Sequence, residues 1–179
     1  DRAHPENLPS WGVLVLESHH SPKFAMDWRT HEFVKIVYVW KGRGEFHIGD
    51  EIHNFNANDV IVIPPHTRNR IIDDTSAAPS LYICCISTQL FNFEPCLVES
   101  LNVRVMNHQQ GFTNRITSLI RRLIHSQQKP VANTSISMVA DALRLLQFVL
   151  ELESRPQSKL QPNGNERAVL QRYISELPD

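Results

Sequence analysis

Hydrophobic and polar positions divide the chain into two parts with different periods. Up to about residue 110, short apolar runs alternate with turn-forming residues. The runs are rich in Val, Ile and aromatic residues, which is typical of β-strands, and they cover residues 11–17, 33–40, 60–63, 81–86 and 103–106. Residues 45–48 and 52–55, joined by Gly49 and Asp50, predict a hairpin. Many short strands of this kind predict an antiparallel barrel or sandwich.

From about residue 112 the apolar residues recur every three or four positions, which indicates helices over 112–127 and 134–154. The second helix has two adjacent apolar stripes. One stripe contains Ile136, Val139, Leu143, Leu146 and Leu150, and the other contains Met138, Ala142, Leu145, Val149 and Leu152. Both stripes together are wider than one packed face needs. We therefore favour the first stripe as a homodimer interface over the simpler alternative, in which both stripes pack inside one subunit.

The last part of the chain has a different composition. Residues 155–165 contain two prolines and one glycine, which predicts a linker. Residues 166–179 form a short amphipathic segment that is not stable as an isolated helix. We therefore expect a β domain over 1–110 with a polar N-terminal arm, a helical subdomain over 111–154, a linker over 155–165, and the start of a further unit at 166–179. The fold class is mainly β with C-terminal helices.

Composition excludes several classes of protein. The 18 Lys and Arg residues against 19 Asp and Glu residues give a net charge of −1, which argues against a free-standing nucleic-acid binder. No apolar run approaches the roughly 18 residues of a membrane span, so no membrane partner is expected. Cys84, Cys85 and Cys96 lack the spacing of a zinc site and predict reduced thiols in a cytoplasmic protein.

Residues 31–69 carry the most specific pattern in the chain. The run Asn-Asp-Val-Ile-Val-Ile-Pro-Pro at 58–65, together with His31 and Gly42, resembles the two motifs of the cupin superfamily, a small antiparallel β-barrel. His31 stands at a metal-ligand position of the first motif, Gly42 at its closing glycine, and Pro64 at the proline of the second motif.

At the other ligand positions this chain departs from the cupin pattern. The resemblance places Arg29, Lys35 and Asn69 where cupin enzymes have His, an acidic residue and His. Cations repel a divalent metal, so we expect no metal site, no cofactor and no catalytic residue. A metal-dependent cupin enzyme, an isomerase or a dioxygenase, remains the alternative. It would have to combine His31 with other histidines, such as His47 and His53 meeting across their hairpin.

The metal-poor barrel motif, the helical pair and the segment at 166–179 together resemble the AraC family of bacterial transcription regulators. The resemblance implies an N-terminal cupin-like domain that binds a small effector, a helical pair that dimerises, and DNA binding only through a C-terminal domain. Residues 167–179 resemble the first helix of that DNA-binding domain.

The family pocket, transferred to this chain, predicts the effector-binding residues His31, Lys35, Lys41, Asn69, Tyr82 and Cys84. Period two along the strand places Lys35 and Lys41 on the same face as His31. A buried ammonium needs a partner, so we expect an effector that carries a carboxylate or several hydroxyls, as sugars do. Alternatives are a lysine that reaches solvent at the barrel mouth, a stand-alone binding barrel, and a barrel filled by its own Trp and Phe side chains.

Overall fold

The computed structural model describes residues 7–21, 24, 26–106 and 113–154. The strands of this part are β1 (Val13–His19), β2 (Val34–Lys41), β3 (Arg43–Ile48), β4 (Glu51–Asn56), β5 (Val60–Ile63), β6 (Asn69–Asp73), β7 (Ser80–Ile86) and β8 (Arg104–Met106). The helices are α1 (Cys96–Glu99), α2 (Thr113–Gln128) and α3 (Thr134–Ser154), and a 3-10 turn covers Thr88–Phe91. The strands precede both long helices, as the change of period predicts.

The strands form two antiparallel sheets. One has five strands in the order β1-β7-β2-β5-β8, and the other has three in the order β4-β3-β6. Side chains from both sheets, including Val37, Phe46, Phe55, Ile61 and Ile83, share one buried cluster, so the sheets pack face to face. We call the space between them the sheet interior. The predicted fold class, mainly β with C-terminal helices, is confirmed.

The five-stranded sheet is buried on both faces. Val37 and Val39 of β2 face the sheet interior, whereas Ile36 and Tyr38 belong to a second cluster that includes the helices. Successive residues of a strand point to opposite faces, so a strand that is covered on both sides reads as the continuous apolar run seen in the sequence.

Helices α2 and α3 cover the outer face of this sheet. Ile116, Ile120 and Leu123 of α2 are buried there together with the second stripe residues Met138, Ala142, Leu145 and Val149 of α3. Arg122 of α2 also forms an ion pair of 3.1 Å with Asp141 of α3, whose carboxylate is nearly buried. Among the described residues, no helix has the length and apolar character of a membrane span.

Most of the predicted strands and helices are confirmed, with two differences. Strand β6 was not predicted, because Asn-Arg-Ile-Ile-Asp has only two apolar residues and no clear alternation. Helix α1 was also missed, since a single turn is too short to show a period. Helix α2 is described from Thr113, and Phe112, the linker and residues 166–179 lie outside the described part.

Candidate functional site

Two chain segments meet at one end of the sheet interior. Arg29 forms an isolated antiparallel bridge with Asn69, the first residue of β6. The backbone N–H of Arg29 donates to the Asn69 carbonyl at 2.9 Å, and the Asn69 N–H donates to the Arg29 carbonyl at 2.8 Å. Directly paired residues point to the same face, so the guanidinium of Arg29 and the amide of Asn69 lie on the same side of these segments.

His31 and Lys35 approach the interior from the start of β2. The His31 ring lies 4.9 Å from the ring of Phe33, and the Lys35 ammonium lies 5.9 Å from that same ring. Lys35 is only 5% exposed, because its register opposite Ile63 and Cys85 points it between the two sheets. The chain therefore places a cation among apolar side chains close to an imidazole.

Burial and two nearby cations determine the ionisation of His31. Burial, followed by the positive charges of Lys35 and Arg29, lowers the pKa of His31 from 6.5 to about 4. His31 is therefore a neutral imidazole at pH 7, able to donate from one ring nitrogen and accept at the other.

Two buried polar atoms at this end have no hydrogen-bond partner within the described residues: His31 Nε2 and Asn69 Oδ1. The rest of the Asn69 amide is fixed, since its Nδ2 donates to the carbonyls of Thr67 at 2.9 Å and Arg29 at 3.4 Å. Buried polar atoms are normally hydrogen-bonded, so this pair of atoms offers one acceptor and one imidazole nitrogen to a polar guest.

A pocket of about 870 Å³ opens at the same end. Its lining comes from three segments: Asn7 and Leu8; Arg29, Thr30, His31, Glu32 and Phe33; and Ser87, Thr88 and Gln89. Lys35 and Asn69 are more deeply buried than these lining residues. The pocket is large enough for a small organic molecule.

These residues do not fit a metal ion. Among the described residues, no group of three or more His, Cys, Asp or Glu side chains could hold one. The polar groups around His31 are the guanidinium of Arg29, the ammonium of Lys35 and the amide of Asn69. The first two are positively charged and repel a metal cation.

Comparisons with known proteins identify the family. The sequence model of the AraC-like ligand binding domain matches residues 12–149. The chain belongs to this family. The AraC-like transcriptional activator CuxR has a similar structure, with a TM-score of 0.58 and 14% identity over 93% of this chain and 61% of CuxR.

Other solved structures similar to the AraC-like domain are cupin proteins. A Cupin 2 conserved barrel protein from Salinispora arenicola has 20% identity over 49% of this chain and 73% of its own, with a TM-score of 0.40. A cupin protein from Bacteroides fragilis has 18% identity over 42% of this chain and 66% of its own, also with a TM-score of 0.40. No curated protein matches the sequence significantly.

Three of the predicted effector residues do not reach the interior of the AraC-like domain. Lys41 is exposed with its ammonium 5.9 Å from the ring of Trp40, because a bulge at Trp40 shifts the alternation of β2. Cys84 pairs with Ile36 and packs toward the helices with Tyr82, whereas Cys85 faces the interior. The predicted inward face of β7 is therefore wrong by one residue. Burial raises the pKa of the Cys84 thiol to about 12.

Sequence reasoning did not include Arg29 among the effector residues of the AraC-like domain. The signal was available, because Arg29 occupies the same kind of motif position as Lys35 and Asn69. Its bridge to Asn69 was not visible, since that contact depends on strand β6.

His20, His47 and His53 contact acidic residues away from His31. His47 pairs with Ile52 and His53 with Phe46, so the two rings lie on opposite faces of the hairpin and do not meet. His47 instead contacts Glu45 at 2.9 Å, and His53 contacts Glu51 at 3.0 Å. The buried His20 ring lies with its Nδ1 2.8 Å from a carboxylate oxygen of Asp73.

The proposed interface stripe on α3 is partly available. Ile136 is 66% exposed and Val139, Leu143 and Leu150 are half-buried, but Leu146 is buried within the subunit. A pocket of about 710 Å³ lies beside this stripe, lined partly by Phe93, Leu97, Leu143 and Leu150. The Trp residues do not fill the interior, since Trp11 and Trp40 are exposed.

Proposed function

We propose that this AraC-like domain senses a small polar effector and that the effector binds at the Arg29–Asn69 end of the sheet interior, without a metal. The observation that supports this most directly is the pair of buried, unpartnered atoms His31 Nε2 and Asn69 Oδ1 beside the positive charges of Arg29 and Lys35. An effector with hydroxyls would donate to Asn69 Oδ1, and a carboxylate would be stabilised by the cations.

The role is regulatory rather than catalytic in this proposal. Effector binding would shift the population of one domain arrangement, and the whole protein, a cytoplasmic regulator, would bind DNA through a further C-terminal domain. The chain spans 61% of the CuxR chain.

The test is calorimetric titration of the purified protein with sugars and small carboxylic acids, preceded by a thermal-shift screen. Lys35→Met keeps the side-chain volume but removes the charge, and we expect it to weaken effector binding at least tenfold, since hydrogen bonds to charged groups contribute about 1.5–3 kcal/mol. Lys41→Met is the matched control because this lysine is exposed. Equal affinity of Lys35→Met and wild type for every ligand found would contradict the proposed site.

Elemental analysis of the same protein tests the absence of metal. A transition metal present at one equivalent per chain, and lost in His31→Ala, would contradict a metal-free receptor and favour the enzymatic alternative.

We also propose that the domain forms a homodimer through α3. The exposed side chain of Ile136 continues the half-buried stripe of Val139, Leu143 and Leu150, and Val131 before α3 is 77% exposed. Apolar surface of this extent on one helix is typical of an interface.

The dimer is tested by light scattering coupled to size-exclusion chromatography. Ile136→Glu is expected to give monomers, whereas Ser137→Glu, the exposed neighbour on another side of the helix, is expected to leave the dimer intact. A monomeric wild-type protein at micromolar concentration would refute the interface.

A further inference from the structure

The bridge that joins Arg29 to Asn69 also brings together three side chains on the opposite, outer face. Since successive residues alternate, Trp28, Arg68 and Arg70 point away from the sheet interior. The Cζ atoms of Arg68 and Arg70 lie 4.4 Å and 4.8 Å from the centre of the Trp28 ring. We call these three residues the Trp28 cluster.

The two guanidinium groups of the Trp28 cluster lie against the same indole ring, and neither has an acidic partner in the part of the chain that the structure describes. Among the described residues, the ion pairs do not include Arg68 or Arg70. Arg70 Nη2 lies 3.4 Å from His47 Nδ1, and the buried Arg70 Nε has no hydrogen-bond partner. The carboxylate of nearby Glu45 is hydrogen-bonded to His47, with 2.9 Å between Oε2 and Nε2. Two positive charges on one ring repel each other, and an anion beside them would reduce that repulsion.

The cluster is also held in place and open to solvent. Arg70 stands on β6 opposite His47 of β3, so the sheet fixes its backbone, and stacking on Trp28 restricts both guanidinium groups. Arg68 is exposed and Arg70 is half-buried, so solvent reaches the cluster mainly through the Arg68 guanidinium. Ordered guanidinium forks lose little entropy when they bind an oxyanion.

We propose that the Trp28 cluster is a binding site for a phosphate group, either free phosphate or the phosphate of a small phosphomonoester. Two guanidinium groups match the double negative charge of a phosphate, and each can donate two parallel N–H bonds to its oxygens. The site is distinct from the proposed effector pocket, because the same two segments present it on their other face.

The experiment uses Trp28 as its own reporter. In a Trp11→Phe/Trp40→Phe protein, Trp28 is the single tryptophan of the chain, and its fluorescence is followed at constant ionic strength. The titrants are inorganic phosphate, glycerol 3-phosphate and acetate. We expect a saturable change with at least one phosphate compound, and acetate to bind at least tenfold more weakly. Tighter binding of inorganic phosphate would identify free phosphate as the ligand, and tighter binding of glycerol 3-phosphate would identify a phosphomonoester.

Variants show whether the arginines make the site. Arg68→Ala and Arg68→Lys are expected to lower the phosphate affinity measured by calorimetry at least tenfold, the lysine variant because it loses the planar fork. Arg144→Ala, an exposed arginine on α3, is the control and should bind as wild type does. Thermal melts verify that Arg68→Lys is folded.

Three results would overturn the proposal. The first is that neither phosphate compound changes the Trp28 emission in a saturable way. The second is that a folded Arg68→Lys protein binds phosphate with unchanged affinity. The third is that acetate binds as tightly as phosphate.

Discussion

Gln127 near the end of α2 joins the helical layer to an edge strand of the five-stranded sheet. Its Nε2 donates to the carbonyl of Val15 at 2.7 Å, and its Oε1 accepts from the N–H of Val15 at 2.8 Å. Among the described strands, β1 pairs with β7 alone, so the side of Val15 that faces away from the sheet has no described strand beside it. The side-chain amide therefore replaces a missing strand at one residue.

Gln127→Ala removes both bonds at once. Each hydrogen bond contributes about 0.5–1.5 kcal/mol net, and a buried polar group left without a partner costs about 1–3 kcal/mol. Because these bonds are only partly buried, water can replace part of the lost interaction. We expect a loss of about 2 kcal/mol in the free energy of unfolding, equivalent to about 4–8 °C in Tm for a chain of this size.

Urea unfolding followed by circular dichroism measures this change. The midpoint is expected to fall while the slope with denaturant stays constant, since the surface exposed on unfolding is the same. Gln128→Ala is the matched control: it is the same substitution one residue later, at an exposed position. Equal midpoints for the two variants would refute the view that Gln127 fastens α2 to β1.

Two further predictions concern a glycine and the imidazole of the site. Gly42→Ala should destabilise the protein by at least about 2 kcal/mol, because Gly42 has φ +81° and a Cβ there would lie 2.5 Å from the Ala77 carbonyl oxygen. Gly49→Ala, at φ +59° with open space around it, should cost about 1 kcal/mol in the same unfolding assay; equal costs would contradict the steric argument. For His31, burial and the nearby cations lower the pKa from 6.5 to about 4, so the unfolded chain binds the extra proton in this range and stability falls as the pH drops through it. Between pH 7 and pH 4.5, His31→Gln should lose less unfolding free energy than the wild type does. Urea titrations at the two pH values measure this loss for each protein, and the same loss in both proteins would refute the shifted pKa.

The sequence alone predicted the fold class and most elements. The continuous apolar runs of β2, β5 and β7 and the helical period of α2 and α3 are local signals, and each is visible in one stretch of chain. The motif at 58–65 and the residues Arg29, Lys35 and Asn69 also pointed to the AraC family, which the family comparison confirms. These inferences succeeded because they depend on residue type and spacing.

Only the tertiary structure showed on which face of its strand each side chain lies. One bulge at Trp40 reverses the direction of Lys41, and a register of one residue decides that Cys85 rather than Cys84 faces the interior. A shift by one residue exchanges the two faces of a strand, and an apolar run that is buried on both sides gives no alternation to fix it.

Contacts between distant segments were likewise invisible in the sequence. The Arg29–Asn69 bridge, the Trp28 cluster and the Gln127–Val15 bonds each join residues far apart along the chain. The apolar pattern fixes which side chains are buried, whereas the pairing of polar groups depends on strand register and on which segments become neighbours. Hydrophobic burial is proportional to area and is non-directional, but a hydrogen bond requires one donor and one acceptor at a defined distance, and only the folded chain sets that distance.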